Sequence, residues 1–410
     1  MGARRVTVHG GALRTHAQRL VTAADVGIRE FALEFEESRA SSAQLQVEGT
    51  NFYPPMLADI VGASSSVHIN QFGFRPGKVG DRFAEALVAK ARSGVPVRLV
   101  VDEQGSYPYD ASKEFYEQLA DAGVQVVVTQ ATKLRVPSGP IGAPNRRTVW
   151  NLATLGHIDH RKAFVIDGRI GWVGGAGIED HFEDGRFHDL FLRVEGPVVS
   201  QLQLVFLASL RSLGGSIPED ELDALFPSFE QSPGAVPATV LHNAPGKYRP
   251  ITDAIASILE RASETLDVIN PYVTDRGMIR RIERGARRGV RVRLFVPANA
   301  NNWACGAAQR FHHAKLLDAG VRILEYPTML HAKAFVRDGE EVLAGTCNLE
   351  AWSLKRFFEI DLHVRSPDLA AQFDEKFVAE AESVSSDGRP VTGLKGRARA
   401  TAFAAISPFL

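Results

Sequence analysis

"HRKAFVIDGRIGWVGG" runs from His160 to Gly175, and "HAKAFVRDGEEVLAGT" runs from His331 to Thr346. Both read His-x-Lys-Ala-Phe-Val-x-Asp-Gly, and both reach a further glycine beyond six more residues after the aspartate. The apolar, β-branched run before Asp-Gly reads as a strand. Asp-Gly reads as a tight turn, and the run that follows reads as the partner strand of a hairpin. On a strand, residues two apart share a face. His160 with Lys162, and His331 with Lys333, are therefore expected to point the same way. A third His-x-Lys, His313-Ala314-Lys315, lies in a helical stretch that ends at Gly320. Residues two apart diverge on a helix, and no Asp-Gly turn follows, so this copy is expected on a surface helix.

The duplication extends far upstream of the motif. "RSGVPVRLVVD" (92–102) matches "RRGVRVRLFVP" (287–297), and "LADAGVQVVV" (119–128) matches "LLDAGVRILE" (316–325). Further back, "SSSVHINQFGF" (64–74) matches "SETLDVINPYV" (263–273). Each half repeats helix, glycine stop and buried strand, which is the grammar of a layered α/β domain. The first half carries an extra Pro- and Gly-rich passage over 128–156, which reads as a long loop. Residues 214–238 are rich in Pro, Gly and acids and read as a linker. The expected division is an N-terminal extension over 1–45 without a counterpart, a first domain over 46–213, the linker, a second domain over 239–392, and a basic and apolar tail over 393–410.

Composition sets the outer limits. The chain has 410 residues, 45% hydrophobic and 23% charged, with a net charge of −1. Two cores of ordinary size fit within that. Near-neutral charge gives no electrostatic footprint for nucleic acid, so no nucleic-acid partner is expected. Cys305 and Cys347 make no disulfide framework, so a reducing, cytoplasmic setting is expected. The N-terminal stretch lacks the apolar core of a signal peptide. No apolar run reaches the roughly 18–20 residues of a membrane span.

Two His-Lys pairs brought to one site would supply two imidazoles and two fixed positive charges. One imidazole attacks, the other protonates the leaving group, and the lysines neutralise charge growing on the transferred group. A phosphoryl centre suits this equipment, because positioned positive charge stabilises its transition state. The small residues Gly174, Gly175, Gly345 and Thr346 let backbone approach phosphate oxygens closely. Asn348 can donate to the same oxygens. The lysines already supply the charge a metal would bring, and no convincing ligand cluster is seen. No metal or other cofactor is expected. His157 and Asp159 flank His160, but alternation places them on the opposite face. Cys347 reads as a small filler.

With these residues in place, the doubled motif resembles that of the phospholipase D superfamily, and within it bacterial cardiolipin synthases, over roughly Val47 to Leu410. The resemblance implies two similar α/β domains, each a mixed sheet flanked by helices, related by a pseudo-twofold axis with the active site at their interface. It implies His160 as nucleophile and His331 as general acid and base. Lys162, Lys333, Asn348, Thr346 and the Gly175 backbone would hold the phosphate. Asp189 and Glu359 would orient the histidines, Asp189 serving His160. Asp167 and Asp338 match motif aspartates whose role is structural. The first copy departs from the family at Gly177, where an asparagine is usual.

The implied reaction is phosphatidyl transfer from a phospholipid to an alcohol acceptor through a phosphatidyl-histidine. The alternatives are a phospholipase D hydrolase, a phosphodiesterase nuclease and an inactive binding protein. One chain holds both motifs, so a monomer suffices for the site. Contact with an anionic membrane surface is expected to be peripheral. The arginine-rich stretch from Arg276 to Arg293 reads as a solvated helix face or as a lipid contact. The tail is expected to dock on the protein rather than lie in a bilayer interface.

Overall fold

Alternation along the motif strands divides the side chains between two cores. In Lys162–Ile166, Ala163 and Val165 point into one apolar cluster and Phe164 and Ile166 into another. In Ala334–Arg337, Ala334 and Val336 join the same first cluster, while Phe335 joins a third. The first cluster is thus shared by both halves, and the other two each belong to one. Two sheets flank the shared core, in which the helices Val199–Ser212 and Pro367–Phe373 also pack, and other helices cover their outer faces. Strands buried on both sides explain why the sequence shows continuous apolar runs rather than polar alternation.

The structure is a computed structural model and describes residues 6–23, 33–108, 110–129, 137–141, 147–148, 157–230, 232, 234–246 and 248–407. Most of the expected loop over 128–156 lies outside them, as does the end of the tail. The strands that build the site are β1 (Ser38–Ala40), β2 (Ser42–Val47), β3 (Val67–Gln71), β4 (Val97–Asp102), β5 (Gln125–Thr129), β6 (Lys162–Ile166), β7 (Ile170–Gly174) and β8 (Leu190–Glu195). The second half adds β9 (Val236–Asn243), β10 (Thr265–Ile269), β11 (Arg291–Pro297), β12 (Arg322–Tyr326), β13 (Ala334–Arg337), β14 (Glu341–Gly345) and β15 (Glu359–Arg365).

Seven strands of the nine-stranded first sheet lie in the order β2-β8-β7-β6-β3-β4-β5, and seven of the nine in the second lie in the order β9-β15-β14-β13-β10-β11-β12. Strand for strand, the two orders are equivalent. The sense of pairing agrees too: β3-β4-β5 and β10-β11-β12 are parallel, and the remaining neighbours are antiparallel. Each motif forms an antiparallel hairpin, β6 with β7 and β13 with β14. This is the mixed, duplicated α/β architecture the repeat implied.

The N-terminal segment ties the halves together. β1 pairs with β9 at the edge of the second sheet, and β2, one residue later, pairs with β8 at the edge of the first. Strand β2 crosses the expected boundary at residue 45. The expected linker over 214–238 is packed, with Leu222 and Leu225 buried, and β9 begins inside it at Val236.

The tail forms the helix Leu394–Ile406, which docks through buried Ala400 and Ala404. The Phe403 ring meets Trp303 edge-on at 4.8 Å, and Arg276 donates to the Ala404 carbonyl at 2.9 Å. No helix among the described residues is long and apolar enough to cross a membrane.

Candidate active site

Both histidines stand just ahead of their strands, on segments that pair with the opposite half. The His160 N–H donates to the Phe358 carbonyl at 2.9 Å, and the Phe358 N–H donates back to Ile158 at 2.9 Å. The His331 N–H donates to the His188 carbonyl at 2.7 Å, within a short parallel pairing of Phe187–His188 with Met329–Leu330. Phe358 immediately precedes Glu359, and His188 immediately precedes Asp189. Each motif histidine is therefore stitched to the residue beside the other half's acid.

This backbone arrangement fixes the side-chain pairs. His331 Nδ1 donates to Asp189 Oδ2 at 2.7 Å, and His160 Nδ1 lies 3.0 and 3.1 Å from the Glu359 oxygens. The expectation that Asp189 orients His160 is corrected: the acids serve the histidine of the opposite half. Lys162 Nζ donates to its own motif's His160 carbonyl at 2.6 Å. Lys333 Nζ lies 2.9 and 3.0 Å from the two ring nitrogens of His331 and also donates to its carbonyl. Phe72 meets the His160 ring edge-on at 4.9 Å and lies under the Lys162 ammonium. Phe182 and Phe187 flank the His331 ring at 5.6 and 5.8 Å.

Burial dominates the electrostatics. It pushes the His331 imidazole down to about 3, and the adjacent Lys333 charge adds to this against the pull of Asp189. Burial also holds His160 well below the usual histidine range, with Lys162 and Lys333 adding to it. Both rings are therefore neutral at pH 7. An Nδ1–H given to a carboxylate leaves the Nε2 lone pair available. Burial brings Lys162 down to about 8 and Lys333 down to about 7, and the buried acids oppose the shift. The carboxyl of Glu359 is pushed up to about 7 by burial, with Lys162 opposing. Burial pushes Asp189 the same way, but the His331 hydrogen bond and nearby charges prevail and hold it below the usual range.

The residues expected to hold phosphate have different fates. A Cβ on Gly175 would fall on the Asp189 carboxylate, so glycine there makes room for the acid. Thr346 is fully buried; its hydroxyl donates to the Ile360 carbonyl at 3.2 Å and accepts the Ile360 N–H at 2.9 Å. That hydroxyl is committed to the backbone beside Glu359. Asn348 keeps unspent capacity, because its side-chain oxygen is buried without a hydrogen-bond partner. Its N–H donates to Ser353 Oγ at 2.8 Å, and the Ser353 hydroxyl donates to Glu359.

Asp167 and Asp338 lie outside the site and serve as turn anchors. Both adopt positive φ, 53° and 52°. Asp167 accepts the amides of Ser64, Ser65 and Ser66 at 2.7 to 3.1 Å. Asp338 accepts those of Ser263, Glu264 and Thr265 at 2.8 to 3.2 Å.

Other candidates resolve by their contacts. Lys315 is exposed and pairs with Glu283 at 2.6 Å, but His313 is fully buried. The surface-helix expectation is corrected for the histidine, because a helix that turns Lys315 outward turns His313 inward. Asp159 is buried against Arg161 at 2.6 Å. Among the described residues, no group of three or more His, Cys, Asp or Glu is placed to hold a metal ion. Cys347 is fully buried, and burial pushes its thiol well above the usual range. Ion pairs engage much of the arginine-rich stretch: Arg281 and Arg284 meet Glu260, Arg287 meets Glu283 and Asp318, and Arg293 meets Asp267.

Residues near the site that escaped sequence reasoning include Phe72, Arg75 and Glu179. Gly177 was the available signal. Where the second half has Asn348, the first half has a glycine, and the Glu179 carboxylate occupies the space it clears.

A family model described as "Cardiolipin synthase, PLD-like domain" matches residues 56–206 and again 255–380. Cardiolipin synthases of Geobacillus sp. (strain WCH70) and Geobacillus kaustophilus (strain HTA426) are 27% and 28% identical over 359 and 356 residues, covering 85% of this chain and 68% of theirs. The fold is shared with a phosphatidylserine synthase of Haemophilus influenzae Rd KW20, at TM-score 0.66 and 11% identity, covering 97% of this chain and all of that one. It is shared also with a polyphosphate kinase of Porphyromonas gingivalis, at TM-score 0.51 and 14% identity, over 83% of this chain and 50% of that one.

Proposed function

From the premise that this chain belongs to the phospholipase D-like domain family described as "Cardiolipin synthase, PLD-like domain", we propose that it is a phosphatidyltransferase, moving a phosphatidyl group from a phospholipid to an alcohol. The reciprocal seating of His160 and His331 by each other's half carries this reading. It puts two neutral imidazoles, each oriented by a carboxylate, between two lysines in one buried site.

In the first step, Nε2 of His160 attacks phosphorus and the bond to the departing alcohol's oxygen breaks. His331 gives that oxygen a proton. In the second step His331 takes the proton of the incoming alcohol, whose oxygen attacks phosphorus, and the P–N bond to His160 breaks. An arriving phosphodiester anion offsets the lysine charge and so favours the proton on His331 that the empty site disfavours. Lys162 and Lys333 stabilise charge on the non-bridging oxygens, and the Asn348 amide nitrogen, for which no hydrogen bond is found among the described residues, can donate to them.

The roles differ because the rings differ. The Lys333 ammonium crowds both nitrogens of His331, whereas Lys162 reaches only the backbone carbonyl of His160. His160 therefore has the freer Nε2 and is the nucleophile. Contact with an anionic lipid surface is part of the proposal, because the substrate resides there. Binding to anionic vesicles that weakens with salt would support it.

The decisive experiment incubates the chain with phosphatidylglycerol vesicles, with and without added alcohol, and identifies the lipid products. A new phosphatidyl-alcohol is expected. Phosphatidic acid alone, at every alcohol concentration, would assign hydrolysis instead.

A further inference from the structure

The two halves of the site differ at two matched positions that bear on one carboxylate. Gly73 of the first half corresponds to Tyr272 of the second, and Gly177 corresponds to Asn348. A Cβ on Gly73 would collide with Glu179 Oε1, and one on Gly177 would lie 2.7 Å from the same oxygen. Both glycines thus make room for one carboxylate. The matched acid in the second half is Glu350. It folds back as a helix cap, accepting the Trp352 and Ser353 amides at 2.6 and 2.7 Å. Glu179 caps nothing with its side chain.

The freed carboxylate is held beside the catalytic groups. Its Oε2 pairs with Arg75 at 3.2 Å and lies 3.8 Å from His181 Nδ1. Arg75 is fixed by a 2.7 Å bond to the Gly105 carbonyl and by the Tyr107 ring. The His181 ring packs on Phe182 and Phe187, the two rings that flank His331. Glu179 is also within electrostatic reach of Lys162. No hydrogen bond to Oε1 is found among the described residues. The side chain is mostly buried, and burial raises its carboxyl against the pull of Arg75 and Lys162.

Resting on the proposed transfer reaction, we infer that Glu179 is a specificity-determining residue that accepts a hydrogen bond from a second hydroxyl of a neutral polyol acceptor. The charge balance selects the acceptor class. Arg75 already pairs with this one carboxylate, and an acceptor ammonium would have to compete with that fixed guanidinium for it. A hydroxyl adds a donor without adding charge. The site would then divide its labour: the second half offers phosphate an amide donor at Asn348, and the first half offers the acceptor an anionic oxygen at Glu179.

Competition between glycerol and ethanol tests this in one reaction with phosphatidylglycerol vesicles, the two products being quantified by mass spectrometry. Wild-type transfer to ethanol tests the broader reading, and the glycerol-to-ethanol product ratio tests Glu179. A hydrogen bond to a charged group is worth about 1.5–3 kcal/mol, so Glu179→Ala should lower the ratio on the order of tenfold or more. Glu179→Gln keeps an acceptor oxygen but not its charge, and should give a ratio between those of wild type and Glu179→Ala. Gly177→Asn places a side chain where Oε1 sits and should lower the ratio as Glu179→Ala does. A ratio unchanged in Glu179→Ala would overturn the inference. So would a Glu179→Gln ratio as low as that of Glu179→Ala, because the carboxylate would then act through its charge on Arg75 and Lys162.

Discussion

Asp189 of the first half accepts its hydrogen bond from His331 of the second, at 2.7 Å, and its own motif's His160 turns instead to Glu359. The backbone enforces this exchange. His331 and His160 give their N–H groups to the carbonyls of His188 and Phe358, the residues before each acid. Neither half alone can orient a histidine.

Crossed pairing makes the two acids kinetically distinct. Asp189 orients the ring assigned to protonate the departing alcohol, and Glu359 orients the assigned nucleophile. Asp189→Asn should slow the first step on the order of 10²–10³-fold with a poor leaving group and much less with nitrophenol, which departs without a proton, while the second step is slowed with either. Glu359→Gln should cost a similar factor with both. Single-turnover rates of leaving-group release by each variant, on phosphatidylglycerol and on a nitrophenyl phosphodiester, measure this. The opposite dependence would assign the roles the other way round.

The duplication, the two motif hairpins and the His-Lys pairs that meet at the candidate site were legible because they are local. A hairpin motif repeats in sequence, and an apolar run buried on both faces shows as such. The partner of each acid was not legible. Asp189 follows the first motif, so proximity in sequence matched it with His160, but short strand pairings between the halves decide the geometry. Thr346 looked like a phosphate ligand by residue type, and the sequence carries no sign that its hydroxyl is spent on Ile360. The reach of β1 and β2 across both sheets was hidden for the same reason: residues 38–47 have no repeat to match, and their partners are distant in the chain.

The covalent intermediate should be trappable. With a nitrophenyl phosphodiester, His331→Ala lacks the base that activates the incoming alcohol and should accumulate an adduct on His160. His160→Ala should accumulate none. Peptide mapping after an acid-free quench locates the adduct, and finding it on His331 in the wild-type chain would reverse the assignment. Either single change should reduce turnover by several orders of magnitude, because the pair acts as a unit.

The pH profile should be narrow. Glu359 must be ionised to orient His160, and burial has pushed its carboxyl up to about 7, so activity rises with pH through that range. Lys333 and Lys162 must carry their protons to neutralise phosphate, and burial has brought them down to about 7 and 8, so activity falls above that. The kcat/KM profile of the free enzyme is then a bell near neutrality, with limbs that belong to the coupled cluster. Lys333→Arg keeps its charge at any accessible pH and should move the alkaline limb upward. An unmoved limb would show that another group titrates there.

The turn aspartates should control stability rather than chemistry. Each holds three backbone amides of the segment ahead of its half's first motif-facing strand, and each sits at positive φ, where Asp and Asn are tolerated better than Ala. Partial burial raises both carboxyls, but the donated hydrogen bonds outweigh it and hold them below the ordinary value. A depressed folded-state pKa contributes stability that is present above the unfolded pKa of about 3.9 and is lost as pH falls through the folded value. The contribution should therefore be full at pH 7 and fade below about pH 4. Asp167→Ala and Asp338→Ala each remove charge-assisted hydrogen bonds worth about 1.5–3 kcal/mol and add strain at the turn. Each should lower the melting temperature at pH 7 by several degrees, with a smaller difference from wild type at pH 3. Asp→Asn keeps one acceptor and the turn conformation, so it should lose less than Ala at pH 7. A loss from Asp167→Ala as large at pH 3 as at pH 7 would place its effect in the backbone strain rather than in the carboxylate.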